Sequence, residues 1–112
     1  MDNHAKVAAM TASNLANMRK RRDETSSLIL LIRNAAQRDA EDIVRASKAL
    51  PYTHGRHSTS WTRHHERSYQ HWKATKLGER RKELDALDRK LQRQNNAITA
   101  YHLKEARRKQ KA

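Results

Sequence analysis

Residues 77–101 read LGERRKELDALDRKLQRQNNAITAY, and a leucine or isoleucine returns at every seventh position: Leu77, Leu84, Leu91 and Ile98. Leu87 and Tyr101 stand three residues beyond two members of that series. A repeat of seven with a second apolar position three further on describes a helix that lays one stripe along another helix. Two companion positions, Arg80 and Gln94, are polar and interrupt the stripe. Such a stripe fits an antiparallel hairpin with the chain's own second helix. Pairing with other protein subunits or in a homodimer through Leu77, Leu84, Leu91 and Ile98 is the other use of the same surface.

Working outward, the helical pattern extends over 61–108, with Gly78 as the candidate break because glycine costs about 1 kcal/mol relative to alanine inside a helix. Upstream, Ala8, Ala12, Leu15 and Met18 recur at spacings of four and three and lead into the basic run Arg19, Lys20, Arg21, Arg22. This predicts a helix over 4–22 whose positive end suits the helix dipole. Asp23 to Ser27 supplies several residues of capping type. A second helix over 26–50 is predicted from Ile29, Ile32, Ala36, Ala40, Ile43, Ser47 and Leu50. Pro51 ends it, since proline pushes the residue before it out of the helical region. Residues 51–60 form a basic and aromatic connector, and 109–112 a basic tail. With two glycines and one proline in 112 residues, a sheet protein rich in tight turns is disfavoured. The expected fold is all-α, a single helical domain built as an elongated helical hairpin with two shorter N-terminal helices, the connector and one long C-terminal helix.

The core available to such a fold is thin. Sixteen residues are alanine, sixteen are leucine, isoleucine or valine, and none is phenylalanine. Burial at about 25 cal/mol per Å² must offset about 1 to 2 kcal/mol of backbone entropy per residue, so association is expected to supply part of the ordering free energy. The partner's sign is set by charge: 25 Lys and Arg against 12 Asp and Glu give +13. The excess is larger in the C-terminal half. Such a balance favours a polyanion. The longest strongly apolar run, LILLI at 28–32, is far short of the roughly 20 residues that span a bilayer. The first ten residues carry an acid and no continuous apolar run, unlike a secretory signal. The absence of cysteine rules out disulfides and thiolate metal sites and accords with an intracellular, reducing compartment.

Residues 52–72, YTHGRHSTSWTRHHERSYQHW, hold five of seven histidines, both tryptophans and two of three tyrosines. His54 and His57 have HxxH spacing, and His64, His65 and His71 follow, but no cysteine is present to complete a structural zinc site. The metalloprotease pattern fails as well, because Tyr69 stands where the second histidine should be. Glu66 is the only acid between residues 43 and 78, which leaves metal-assisted phosphodiester hydrolysis without its carboxylates. No metal, no cofactor and no catalytic residue is therefore expected. A small metal-independent nuclease using histidines is the remaining enzymatic alternative.

Nucleic-acid binding accounts for this composition most simply. On a helix Trp61, His65, Tyr69 or Ser68, and Trp72 share a face, and aromatic rings beside cations suit stacking on unpaired bases. The expected phosphate and base contacts are Arg19, Lys20, Arg21, Arg22, Arg56, His57, Trp61, Arg63, His64, Arg67, Tyr69, Trp72, Lys73, Arg80, Arg81, Lys82, Arg107, Arg108 and Lys109. Two tryptophans on one helical face also serve as core anchors, with their basic neighbours turned outward. The expectation is a non-enzymatic RNA-binding subunit of a ribonucleoprotein, with RNA favoured over DNA. A helical adaptor that binds an acidic protein is the alternative.

Overall fold

The computed structural model describes residues 2–51 and 53–111, and the side chains of residues 13–51 and 53–110. Three helices follow in order, α1 (Asp2–Ser47), α2 (Arg63–Glu79) and α3 (Arg81–Lys111). The fold is all-α. The expected division of the N-terminal region into helices over 4–22 and 26–50 is corrected: α1 is one helix of 46 residues. The polar run at 23–27 does not cap anything, because the Thr25 hydroxyl donates to the carbonyl of Arg21 one turn back, 3.0 Å away. That bond satisfies the hydroxyl inside a continuing helix, and Thr25 is buried. Leu15, Met18, Arg22, Thr25, Ile29 and Ile32, at spacings of three and four, are all buried or half-buried, so the inward stripe crosses the polar run unbroken.

Helix α1 ends by backbone chemistry before Pro51 is reached. The amide of Leu50 donates to the carbonyl of Arg45 (2.9 Å) and that of Ala49 to Ala46 (3.2 Å). Ala49 takes φ of 53°. These two bonds around a left-handed residue constitute a Schellman cap, a position that usually carries glycine because a Cβ there is strained. The helix therefore stops three residues short of the expected Leu50.

The long C-terminal helix expected over 61–108 is two helices. The interruption falls at Arg80 rather than Gly78, with the Arg80 amide donating to both Leu77 and Gly78 carbonyls. The Arg80 guanidinium then pairs with Glu83 (2.8 Å), an acid in the first turn of α3 where the helix dipole favours negative charge. Residues 109–111, expected as a tail, belong to α3.

Contacts divide the chain into two compact units, a terminal unit of Met1–Ile29 with Asp85–Ala112 and a central unit of Leu30–Leu84. In the terminal unit, Met18, Arg21, Glu24, Thr25 and Leu28 of α1 and Leu87, Lys90, Gln94 and Ala97 of α3 line one groove. Ile29 and Ile98 are buried there, and Leu87, Leu91, Gln94 and Tyr101 are half-buried. The heptad stripe of α3 is thus largely covered by the chain itself.

In the central unit Ala40, Val44 and Tyr69 form the core, with Trp61 and Trp72 packed against it. Alanine at position 40 leaves room on α1 for aromatic rings. Tyr69 is 1 % exposed, and full burial of such a ring removes about 150 to 250 Å² from water. No helix among the described residues is long and apolar enough to cross a membrane.

Candidate nucleic-acid interface

The connector between α1 and α2 is held from within by turns. His54, Ser58 and Trp61 donate their amides to the carbonyls of Pro51, Gly55 and Ser58. The Arg56 amide donates to Glu41 Oε1 on α1 (3.0 Å), and that carboxylate also pairs with Arg45 (2.9 Å). Gly55 fits beside this bond, since a Cβ on it would stand 2.8 Å from the same Glu41 oxygen and would push that carboxylate aside.

Glu66 then closes the unit. Its carboxylate accepts from Arg56 Nε (2.9 Å) and Nη2 (2.6 Å), from Trp61 Nε1 (2.9 Å) and from Gln70 Nε2 (3.1 Å). The Arg56 guanidinium also lies 4.3 Å from the centre of the Tyr69 ring, a cation–π contact that uses its remaining face. Arg56 hydrogen bonding, opposed by burial and aided by Gln70 and Trp61, holds the Glu66 carboxyl down to about 2. Glu66 in turn raises the affinity of the Arg56 guanidinium for its proton.

These contacts correct part of the expected interface. Tyr69 is a core residue and offers no face to a base. Arg56 donates to Glu66 through Nε and Nη2, its Nη1 lies 3.5 Å from the Tyr69 hydroxyl, and its plane lies over the Tyr69 ring. Trp61 and Trp72 are half-buried and packed on the core, and the Trp61 N–H is spent on Glu66. The signal for this arrangement was the isolation of Glu66 in a long cationic stretch: a lone acid there is the only local carboxylate for several donors.

Helix α2 starts with a capping box. The Thr62 side chain accepts from the His65 amide (3.2 Å), and His65 Nδ1 accepts from the Thr62 amide (3.1 Å). His65 must be unprotonated at Nδ1 to do so. Partial burial lowers its pKa first, and His54, His64 and Lys48 lower it further. His54 is itself engaged, its Nδ1 2.8 Å from Ser60 Oγ. Among the described residues no three histidines or carboxylates stand together as a metal-binding group.

With Glu66 turned inward, the outward face of α2 is left with Arg63, His64, Arg67 and His71, all exposed. Among the described residues Arg63 and Arg67 have no ion-pair partner. The nearby acids are taken: Glu41 and Asp42 by Arg45, Glu66 by Arg56, Glu79 by Lys76 and Glu83 by Arg80. His57, Arg81 and Lys82 are exposed in the same unit and Lys73 is half-buried. The terminal unit holds the rest of the expected set. Arg19, Lys20 and Arg21 are exposed on α1, where Arg22 pairs with Asp23. Arg107 and Lys109 are exposed on α3, where Arg108 pairs with Glu105. Sequence reasoning missed Lys48, whose Nζ lies 3.1 Å from His64 Nε2; no local pattern joins residues 16 apart across a turn.

No protein-family model, curated protein or solved structure matches the chain.

Proposed function

We propose that this chain is a non-enzymatic nucleic-acid-binding protein, with RNA favoured over DNA, that serves as a small basic subunit of a ribonucleoprotein complex in an intracellular, reducing compartment. The observation that carries this reading is the uncompensated face of α2, where Arg63 and Arg67 stand exposed with His64 and His71 and no carboxylate among the described residues answers them. Cations that neutralise phosphates gain from released counterions, a gain that an internal salt bridge would forfeit. RNA is favoured because the face adjoins an irregular connector and two half-buried tryptophans, which suits folded or unpaired strands better than a regular groove.

The test is a titration of the full chain against single-stranded RNA, single-stranded DNA and duplex DNA at several salt concentrations. Binding near physiological salt is expected, with a log–log salt slope that becomes shallower by about 1.4 on single strands when Arg63 and Arg67 are both replaced by glutamine. Absence of binding to all three would overturn the reading. The second reading, an assembly protein with an acidic protein partner, draws support from Leu30 and Leu31, which stand 56 % and 60 % exposed on α1. A partner docked on those leucines is expected to bind with a shallower salt dependence than a nucleic acid, because apolar contact supplies part of the affinity and no condensed counterions are released.

A further inference from the structure

Lys48 lies just past the end of α1 and His64 in the first turn of α2, both exposed, with Lys48 Nζ 3.1 Å from His64 Nε2. An ammonium group has donors only, so this contact needs an unprotonated His64 Nε2 as acceptor and places the ring proton on Nδ1. The arrangement sets two basic groups against each other. The groups around them are cationic or basic too: Arg63, His65 and Arg67 on α2, and His54 in the connector, edge-on to His65 at 5.6 Å. Burial lowers the His65 pKa, and His54, His64 and Lys48 lower it further. Of the carboxylates on these elements, Glu41 and Asp42 are held by Arg45 and Glu66 by Arg56.

An oxyanion is the group that satisfies such a pair. Its oxygens accept from Lys48 in place of the imidazole, and its charge favours a protonated His64 whose Nε2–H becomes a second donor. A phosphodiester presents two such oxygens, one for each donor, and Arg63 and Arg67 are next to it along the helix for neighbouring phosphates.

We propose, resting on the nucleic-acid reading above, that Lys48 and His64 form a phosphate clamp for single-stranded RNA, and that His64 takes up a proton from solvent as the strand binds. Linkage fixes the consequence: a site that gains a proton on binding holds RNA more tightly as pH falls.

Anisotropy titrations of the full chain with a short fluorescein-labelled oligouridylate, at constant ionic strength, test this. Wild-type affinity is expected to rise at least about fivefold from about pH 8 to about pH 6. H64Q should lose most of that rise. H64R, a permanent cation, should bind at the higher pH as tightly as the wild type does at the lower one, with the rise abolished. K48Q should weaken binding at every pH, whereas R81Q, outside the clamp, should weaken it and keep the full pH dependence. RNA binding by H64Q with the wild-type pH dependence overturns the clamp while leaving the nucleic-acid reading intact. No RNA binding by the wild type at any pH overturns that reading itself. Equal affinity and equal pH dependence for polyglutamate show a general anion surface and overturn the assignment to phosphate.

Discussion

The central and terminal units close in different ways. The central unit gathers one large buried ring, two half-buried tryptophans and a single carboxylate that receives an arginine, an indole and an amide. The terminal unit has an aliphatic stripe with polar residues in it. Thr25 satisfies its hydroxyl within its own helix, whereas the buried side-chain oxygen of Gln94 has no hydrogen-bond partner among the described residues. The central unit depends on a few directional contacts between residues far apart in sequence. The terminal unit depends on periodic contact, which tolerates a gap.

That contrast can be tested through the two tryptophans, both of which lie in the central unit. Tyr69→Ala should have the largest effect, a loss of about 3 to 5 kcal/mol, read as a fall in the urea midpoint followed by tryptophan emission. A loss below about 1 kcal/mol would show that the ring is not the centre of that unit.

Next comes Glu66→Gln, which leaves Arg56 and Trp61 with a neutral, poorer acceptor. Because the pair is about one-third exposed, solvent screening reduces the cost to about 1 to 2 kcal/mol. The pH dependence carries the same signature. The Glu66 pKa is depressed from 4.5 to about 2, so its contribution is full above the unfolded value and is lost as pH falls from there through about 2. A wild-type midpoint that falls across that window should become flatter in E66Q, and equal slopes would remove Glu66 from its central role.

Two smaller changes act on single positions. Gln94→Leu should stabilise the chain by about 1 kcal/mol by continuing the stripe and removing an unpaired buried oxygen. Thermal unfolding by circular dichroism reads this, and a lower midpoint would mean that the glutamine is satisfied. Ala49→Gly should add about 0.5 to 1 kcal/mol by relieving the left-handed strain of the α1 cap, net of glycine's entropy; a loss in the same measurement would count against the Schellman cap.

The helical class was readable from the rarity of glycine and proline and from the heptads at Leu84, Leu91 and Ile98, because helix periodicity is a local property. The continuity of α1 was not. Threonine and serine serve as caps or as back-bonded helix residues, and the choice between them rests on whether the surrounding stripe is covered. Arg63 and Arg67 stand exposed as their spacing implied, whereas Lys73, expected beside them, is half-buried. Tyr69 is buried where a contact residue was expected, and Arg56 is paired with Glu66, since cations and aromatics of the same composition also build a core.

By itself, then, the sequence determined an all-α chain with a heptad stripe, an excess of positive charge and a proline-flanked connector, all of which follow from composition and short-range spacing. The tertiary structure alone decided which way the aromatic face of α2 points, by burying Tyr69 against Ala40 and Val44. It also decided where Glu66 is spent and that Lys48 meets His64. Those choices depend on desolvation and on hydrogen bonds across 10 to 16 residues of chain, distances over which a sequence pattern carries no geometry.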